Sequence, residues 1–220
     1  MKVQQEVVAD AAVGGVDPRK LRTREAIIVA AQKIFVEQSP ENVSVDELAR
    51  AAGVSKQTFY NHFTEKEELI REIRARIRSK LDALVFEANR NESDPAKRLS
   101  IALCIYAKQS IADPALGRLM ARLPFEDLRL DSQSNLPAAT DIREGLMQGR
   151  LAMFSVDTGL AFVFGVGEGL LSSILRPEGG PTASVISHQF VTLLLRAFGL
   201  PPLEAETIAA YSIERVFEGG

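Results

Sequence analysis

The chain has 220 residues, with 26 Lys plus Arg against 29 Asp plus Glu and 46% hydrophobic side chains, the balance of a soluble protein large enough to bury a core without staples. Its single cysteine, Cys104, rules out an intramolecular disulfide, and no basic segment leads into an apolar one near the start, so a reducing, cytoplasmic setting is expected. The net charge of -3 hides an uneven spread: residues 1–80 carry 14 basic and 12 acidic side chains, residues 81–220 carry 12 and 17, so the acidic average does not exclude a nucleic acid at the front end.

Residues 1–17 lack a sustained period and contain a Gly pair, which reads as a flexible arm. Asp17 before Pro18 is a cap followed by a proline at the first helical position, and Ile27, Ala30, Ala31, Ile34 and Phe35 recur at helical spacing until Ser39-Pro40. Ser44 and Glu47 have the spacing of a capping box for a short second helix stopped by Gly53. Ser55 caps a third helix, too short to stand alone, that must be held by Phe59 and Phe63 and so exposes Lys56, Gln57, Thr58, Tyr60 and Asn61. Thr64 and Glu67 are spaced as another capping box. From there Leu69, Ile73, Ile77, Leu81, Leu84 and Ala88 draw one stripe along a long fourth helix, whose charged residues, Arg74 and Arg78 among them, read as a solvated face.

The remainder is helical too, without strand-like alternation. Asp94-Pro95 and Asp113-Pro114 are two more cap-plus-proline starts, residues 127–137 read as a loop, and a helix is expected over about 138–149. Asp157 then introduces an apolar helix over about 157–175, and beyond the Gly179-Gly180-Pro181 turn Thr182 starts a second over about 182–198, before a last helix over about 203–217. The two central helices are apolar over nearly their whole circumference, so each needs cover on two sides. A second copy of the chain, packed about a two-fold axis, supplies the missing side most simply. The longest apolar stretch, residues 159–167, ends at Glu168 and is far short of the roughly 20 residues of a membrane span. The fold expected is all-α: an N-terminal three-helix helix-turn-helix unit over 18–63, joined by the fourth helix to a larger helical dimerisation domain over 64–220.

Within this frame the string VSVDELARAAGVSKQTFYNHFTEKEELI, extended back through AIIVAAQKIFVEQSPEN, closely resembles the signature of the TetR family of bacterial transcriptional regulators. The likeness rests on the Ala52-Gly53-Val54-Ser55 turn, the Thr58-Phe59-Tyr60 triplet, His62-Phe63 and Lys66, over about residues 20–72. A looser resemblance joins GLMQGRLAMFSVDTGLAFVFGVGEGLLSSIL to the family's ligand-domain segment before the dimer helices. The resemblance implies a homodimer that binds a duplex operator and is released by a small molecule. It also implies that Thr58, Tyr60 and His62 touch phosphate or sugar. By chemistry, Lys56 suits guanine acceptors and Gln57 the adenine edge, Lys66 adds a cation at a helix start, and Ser44 and Thr64 are caps whose surroundings can face a phosphate. Ser44, Ser55, Lys56, Gln57, Thr58, Tyr60, Asn61, His62 and Lys66 are therefore the expected DNA-contacting set.

An effector cavity is expected among helices from 81 to 175, with Phe86, Tyr106, Met120, Phe125, Met147, Phe154 and Phe162 as apolar wall and Cys104 and Arg122 as polarisable or polar contributors. That inventory suits a hydrophobic or amphipathic ligand. His62, Cys104 and His188 are too scattered for a metal site, and no phosphate loop or nucleophile motif occurs, so neither catalysis nor a cofactor is expected. The alternative is a helical protein-interaction scaffold without ligand-controlled DNA binding.

Overall fold

The computed structural model describes residues 17–123, 129–176 and 182–219. These stretches hold α1 (Pro18–Glu37), α2 (Val45–Ala51), α3 (Lys56–Tyr60), α4 (Lys66–Asn89), α5 (Pro95–Ala112), α6 (Pro114–Arg122), α7 (Leu136–Met147), α8 (Val156–Ile174), α9 (Ala183–Ala197) and α10 (Pro202–Ile213). No strand occurs among the described residues. Apart from Asp17 the expected arm lies outside them, as do the Gly179-Gly180-Pro181 turn and the start of the loop expected at 127–137.

Local chemistry sets most of the helix starts. Asp17, Asp94 and Asp113 each accept a first-turn backbone N–H, from Arg19, Ala96 and Leu116 at 2.9, 2.9 and 3.1 Å, a contact worth about 1 kcal/mol per helix. Ser44 forms half of its capping box: its Oγ accepts the Glu47 N–H at 3.2 Å, while the Glu47 carboxylate faces Gln38. At α4 the expected box is displaced by one residue. The helix starts at Lys66, and Glu68 rather than Glu67 reaches back to the N–H and hydroxyl of Thr64, at 2.7 and 3.0 Å. α8 is capped by Ser155, whose Oγ accepts the Thr158 N–H at 3.1 Å, and Asp157 sits in the first turn, where a carboxylate complements the helix dipole. α7 starts at Leu136, and α10 ends at Ile213 in a π-helical turn over Glu214–Glu218.

Two buried clusters organise the packing. The first joins Ile27, Ile28 and Phe35 of α1, Leu48 of α2, Phe59, Phe63, and Leu69 and Ile73 of α4, with Ile34 partly buried against it. It runs on into Leu116, Leu119 and Met120 of α6, which packs directly on α1. The front unit is thus tied to the rest by α6 as well as by α4. The second cluster fills the space between α5, α7, α8, α9 and α10.

Along α4 the apolar stripe is buried from Leu69 to Leu81, whereas Leu84 faces outward. Arg78, expected on a solvated face, is only 7% exposed. Past the front unit α4 is covered by α5 on one side and by the Ser134 carbonyl on another, where Arg78 Nη2 donates at 2.6 Å. On α8 and α9 the uncovered positions include Phe162, Val185 and Leu193. Gly159 is pressed against Met153 and Ile142 and Gly169 against Phe190, but nothing lies within 4 Å of where a side chain at Gly165 would begin.

Candidate nucleic-acid interface and ligand cavity

α2, the turn and α3 meet in a tight corner. Gly53 adopts φ +69°, a conformation that strains any residue with a Cβ, and the Val54 N–H closes the corner on the Ala49 carbonyl at 2.9 Å. Ser55 Oγ accepts the Thr58 N–H at 3.0 Å and shares a hydrogen bond with the Thr58 hydroxyl at 2.8 Å. Phe59 points inward, fully buried, and Tyr60 stands edge-on to it at 5.7 Å between ring centres. The opposite side of α3 presents Lys56, Gln57, Tyr60 and Asn61 to solvent. Gln57 Nε2 donates to Asn61 Oδ1 at 3.2 Å, which holds both amides on one face. Lys56 Nζ pairs with Asp46 at 3.0 Å, and more than half of each side chain is exposed. Such a pair is worth little, so the ammonium is easily released to a more anionic partner.

Two expected contacts prove to be embedded in the scaffold. Lys66 Nζ donates to the Pro40 and Val43 carbonyls at 2.9 and 3.1 Å, pinning the turn before α2 to the start of α4. Its three N–H groups leave one for a phosphate. His62 is partly buried, and desolvation, then the neighbouring Lys20 and Arg24, hold its imidazole below the usual range, so at neutral pH it is uncharged. Arg24 of α1 donates to the His62 carbonyl and to Glu72 and lies over the Phe63 ring at 4.1 Å. It therefore clamps α1 and α4 around the end of the front unit.

A cavity of about 100 Å³ lies beneath α4. α4 contributes Arg78, Asp82 and Val85, α5 contributes Leu99, Leu103 and Tyr106, α6 contributes Met120, and α7 and α8 close it with Asp141, Val163, Phe164 and Glu168. Of the wall expected from sequence, Tyr106 and Met120 are there. Phe86, Met147 and Phe154 are strongly exposed and Phe162 partly so, and Phe154 and Phe162 line a separate surface groove beside Phe198. Arg122 borders a charged depression with Lys66 and Arg71. Cys104 is packed in the second core, where burial pushes its thiol up to about 12. Phe125 lies outside the described residues.

The cavity's polar group was missed. Arg78 Nε and the Tyr106 hydroxyl both donate to Asp82 Oδ1, at 2.8 and 3.2 Å. Its only trace in sequence is an opposite-charge pair four residues apart, one position beyond Ile77 and Leu81 of the buried stripe. No group of His, Cys, Asp and Glu fit for a metal occurs among the described residues, and no helix there is long and apolar enough to cross a membrane.

The profile of bacterial regulatory proteins of the tetR family matches residues 27–73, and that of the tetracyclin repressor-like C-terminal domain matches residues 94–211. The chain belongs to the TetR family. That family is one of bacterial regulatory proteins. The HTH-type transcriptional activator FasR of Mycolicibacterium smegmatis is 36% identical to this protein over 86 residues, 39% of either chain. The nucleoid occlusion factor SlmA of Aliivibrio fischeri is 28% identical over 121 residues, 54% of this chain and 62% of SlmA. The TetR-family chain thus spans 39 to 62% of the length of these curated relatives. The solved structure of RolR in complex with resorcinol superposes with a TM-score of 0.62 at 21% identity, over 87% of this chain and 95% of that one, a likeness of fold.

Proposed function

We propose that this TetR-family protein is a homodimeric repressor that holds a duplex operator through α3 and leaves it when a small hydrophobic or amphipathic molecule fills the cavity beneath α4. The observation that carries this reading is the cavity's wall. It includes Arg78, Asp82 and Val85 of α4 and Met120 of α6, the two helices that tie the front unit to the rest. A ligand there pushes on both ties at once. It shifts the equilibrium only by as much as it prefers the DNA-incompetent arrangement. RolR, whose fold the chain shares, is solved with resorcinol, which supports a small effector.

In this reading residues 18–63 form the DNA-binding domain and 64–220 the effector and dimerisation domain. Two copies meet through helices at about 157–175 and 182–198, covering Phe162, Val185 and Leu193, which one subunit leaves exposed. The open site at Gly165 lets the partner's helix approach closely. Gly165→Trp is expected to give monomers in sedimentation with helix content unchanged, and to weaken operator binding at least about 100-fold as two-site avidity is lost. A variant that stays dimeric sinks this interface.

Selection of operators from a random duplex library by the purified protein, at stated salt, tests the reading as a whole. The expected product is a palindrome whose half-sites are about 34–36 Å apart or a multiple of that. No enrichment over the input pool moves the weight to a scaffold role.

A further inference from the structure

We infer that the cavity beneath α4 selects a neutral, single-ring ligand bearing a hydroxyl donor, a phenol or small cyclic alcohol, and that Asp82 reads that hydroxyl. This inference rests on the effector reading above and narrows it. Size gives the first constraint. A space of about 100 Å³ is on the scale of the roughly 150 Å³ that holds a benzene ring in an engineered apolar core, and it excludes a long acyl chain. Val85, Leu103, Met120, Val163 and Phe164 make most of the wall apolar, so the body of the ligand is hydrophobic.

The hydrogen-bond accounts give the second constraint. Burial pushes the Tyr106 hydroxyl well above the ordinary phenol range, so it remains a donor, and it donates to Asp82 Oδ1. Arg78 also spends its Nε on Oδ1, and its Nη2 goes to the Ser134 carbonyl. Both bonds to Asp82 fall on Oδ1, and no described residue donates to Oδ2. The Asp82 side chain is 30% exposed, so water can serve Oδ2 until a ligand displaces it; the cluster then has an acceptor to offer, and a ligand that brings a donor restores the bond that water made.

Charge gives the third. The carboxylates of Asp82, Asp141 and Glu168 all border the space. Asp82 is matched by Arg78, and Asp141 by Arg98 Nε at 2.6 Å. A ligand carboxylate beside Asp82 would add a second negative charge to the balanced Arg78–Asp82 pair. Glu168 is exposed, so its charge is screened by solvent, and a ligand cation beside Asp82 would add a net charge to the balanced Arg78–Asp82 pair among apolar walls, which is costly. A neutral hydroxyl meets neither penalty.

Titration calorimetry on the full chain with phenol, toluene, benzoate and benzylamine separates these demands at nearly constant ring size. Phenol is expected to bind at least tenfold more tightly than toluene, about 1.4 kcal/mol, with benzoate and benzylamine weaker still. Toluene equal to phenol removes Asp82 as the reader, and benzoate or benzylamine equal to phenol removes the neutral class. Asp82→Asn keeps an acceptor and loses the charge, so phenol should still bind while benzoate gains at least tenfold; a folded variant without that gain overturns the charge argument. Tyr106→Phe leaves the Arg78–Asp82 pair intact and must keep the phenol preference, whatever the folding of Asp82→Asn. Ala102, on α5, also lines the space, so Ala102→Phe fills the cavity and should abolish phenol binding. Phenol binding that survives Ala102→Phe lies elsewhere and overturns the site, whereas operator release by some other compound that Ala102→Phe blocks leaves the effector reading standing and sinks only this ligand class.

Discussion

Phe59→Ala is expected to destabilise the front unit by about 3–5 kcal/mol and to abolish operator binding while most of the helix content persists. α3 has five residues, far fewer than a helix needs to persist alone, so its form is a consequence of what its one inward side chain touches. That side chain is fully buried, edge-on to Tyr60 at 5.7 Å and tilted against Phe63 at 5.8 Å. Truncation removes the ring and leaves a void among Phe35, Leu48 and Phe63, neighbours in the same cluster that α1, α2 and α4 hold in place. The second cluster, built on α5 and α7 to α10, contains none of these residues, so its helices should survive. Thermal melting by circular dichroism checks this: a first transition lowered by at least about 12 °C with the later one little changed. A variant melting within about 2 °C of wild type would mean that α3 is held by something other than Phe59.

The features legible in the sequence are those decided within one turn of chain. Asp17, Asp94 and Asp113 cap the helices expected of them because a cap is a contact over two or three residues, and Gly53 marks its turn because only the backbone decides it. The α3 face is likewise determined once Phe59 is inward. The cavity depends on which helix covers which, and there side-chain type misleads. Phe86 and Arg78 lie two turns apart on α4, yet the phenylalanine is 71% exposed and the arginine 7%, since cover by neighbouring elements outweighs intrinsic polarity. A buried arginine can be tolerated because Asp82 and the Ser134 carbonyl accept its protons, and the latter partner is far away in sequence. Thr64 and Asp157 show the limit even locally: a helix start shifted by one or two residues changes which side chain can reach the cap.

The double variant Lys56→Ala/Tyr60→Ala is expected to lower affinity for the selected operator at least about 100-fold, with a folded dimer retained. Stability should hardly change. The Lys56–Asp46 pair is exposed on both sides, so its loss is worth at most about 1 kcal/mol, and Phe59 stays in place beneath Tyr60. Binding responds differently, because each contact to a base edge contributes about 1–3 kcal/mol and a two-fold dimer makes every contact twice. Single variants separate the roles. If Lys56 reads a guanine, Lys56→Ala relaxes the preference at one base per half-site; if it meets a phosphate, all sequences weaken together and the slope of log affinity against log salt falls by about 1 per subunit. Lys66→Ala is the contrasting control, since it removes bonds to the Pro40 and Val43 carbonyls and should loosen the front unit as well as its grip. Fluorescence anisotropy with the selected duplex, repeated at three salt concentrations, measures all of these. Unaltered affinity in the folded double variant would place the DNA-contacting surface somewhere other than the exposed face of α3.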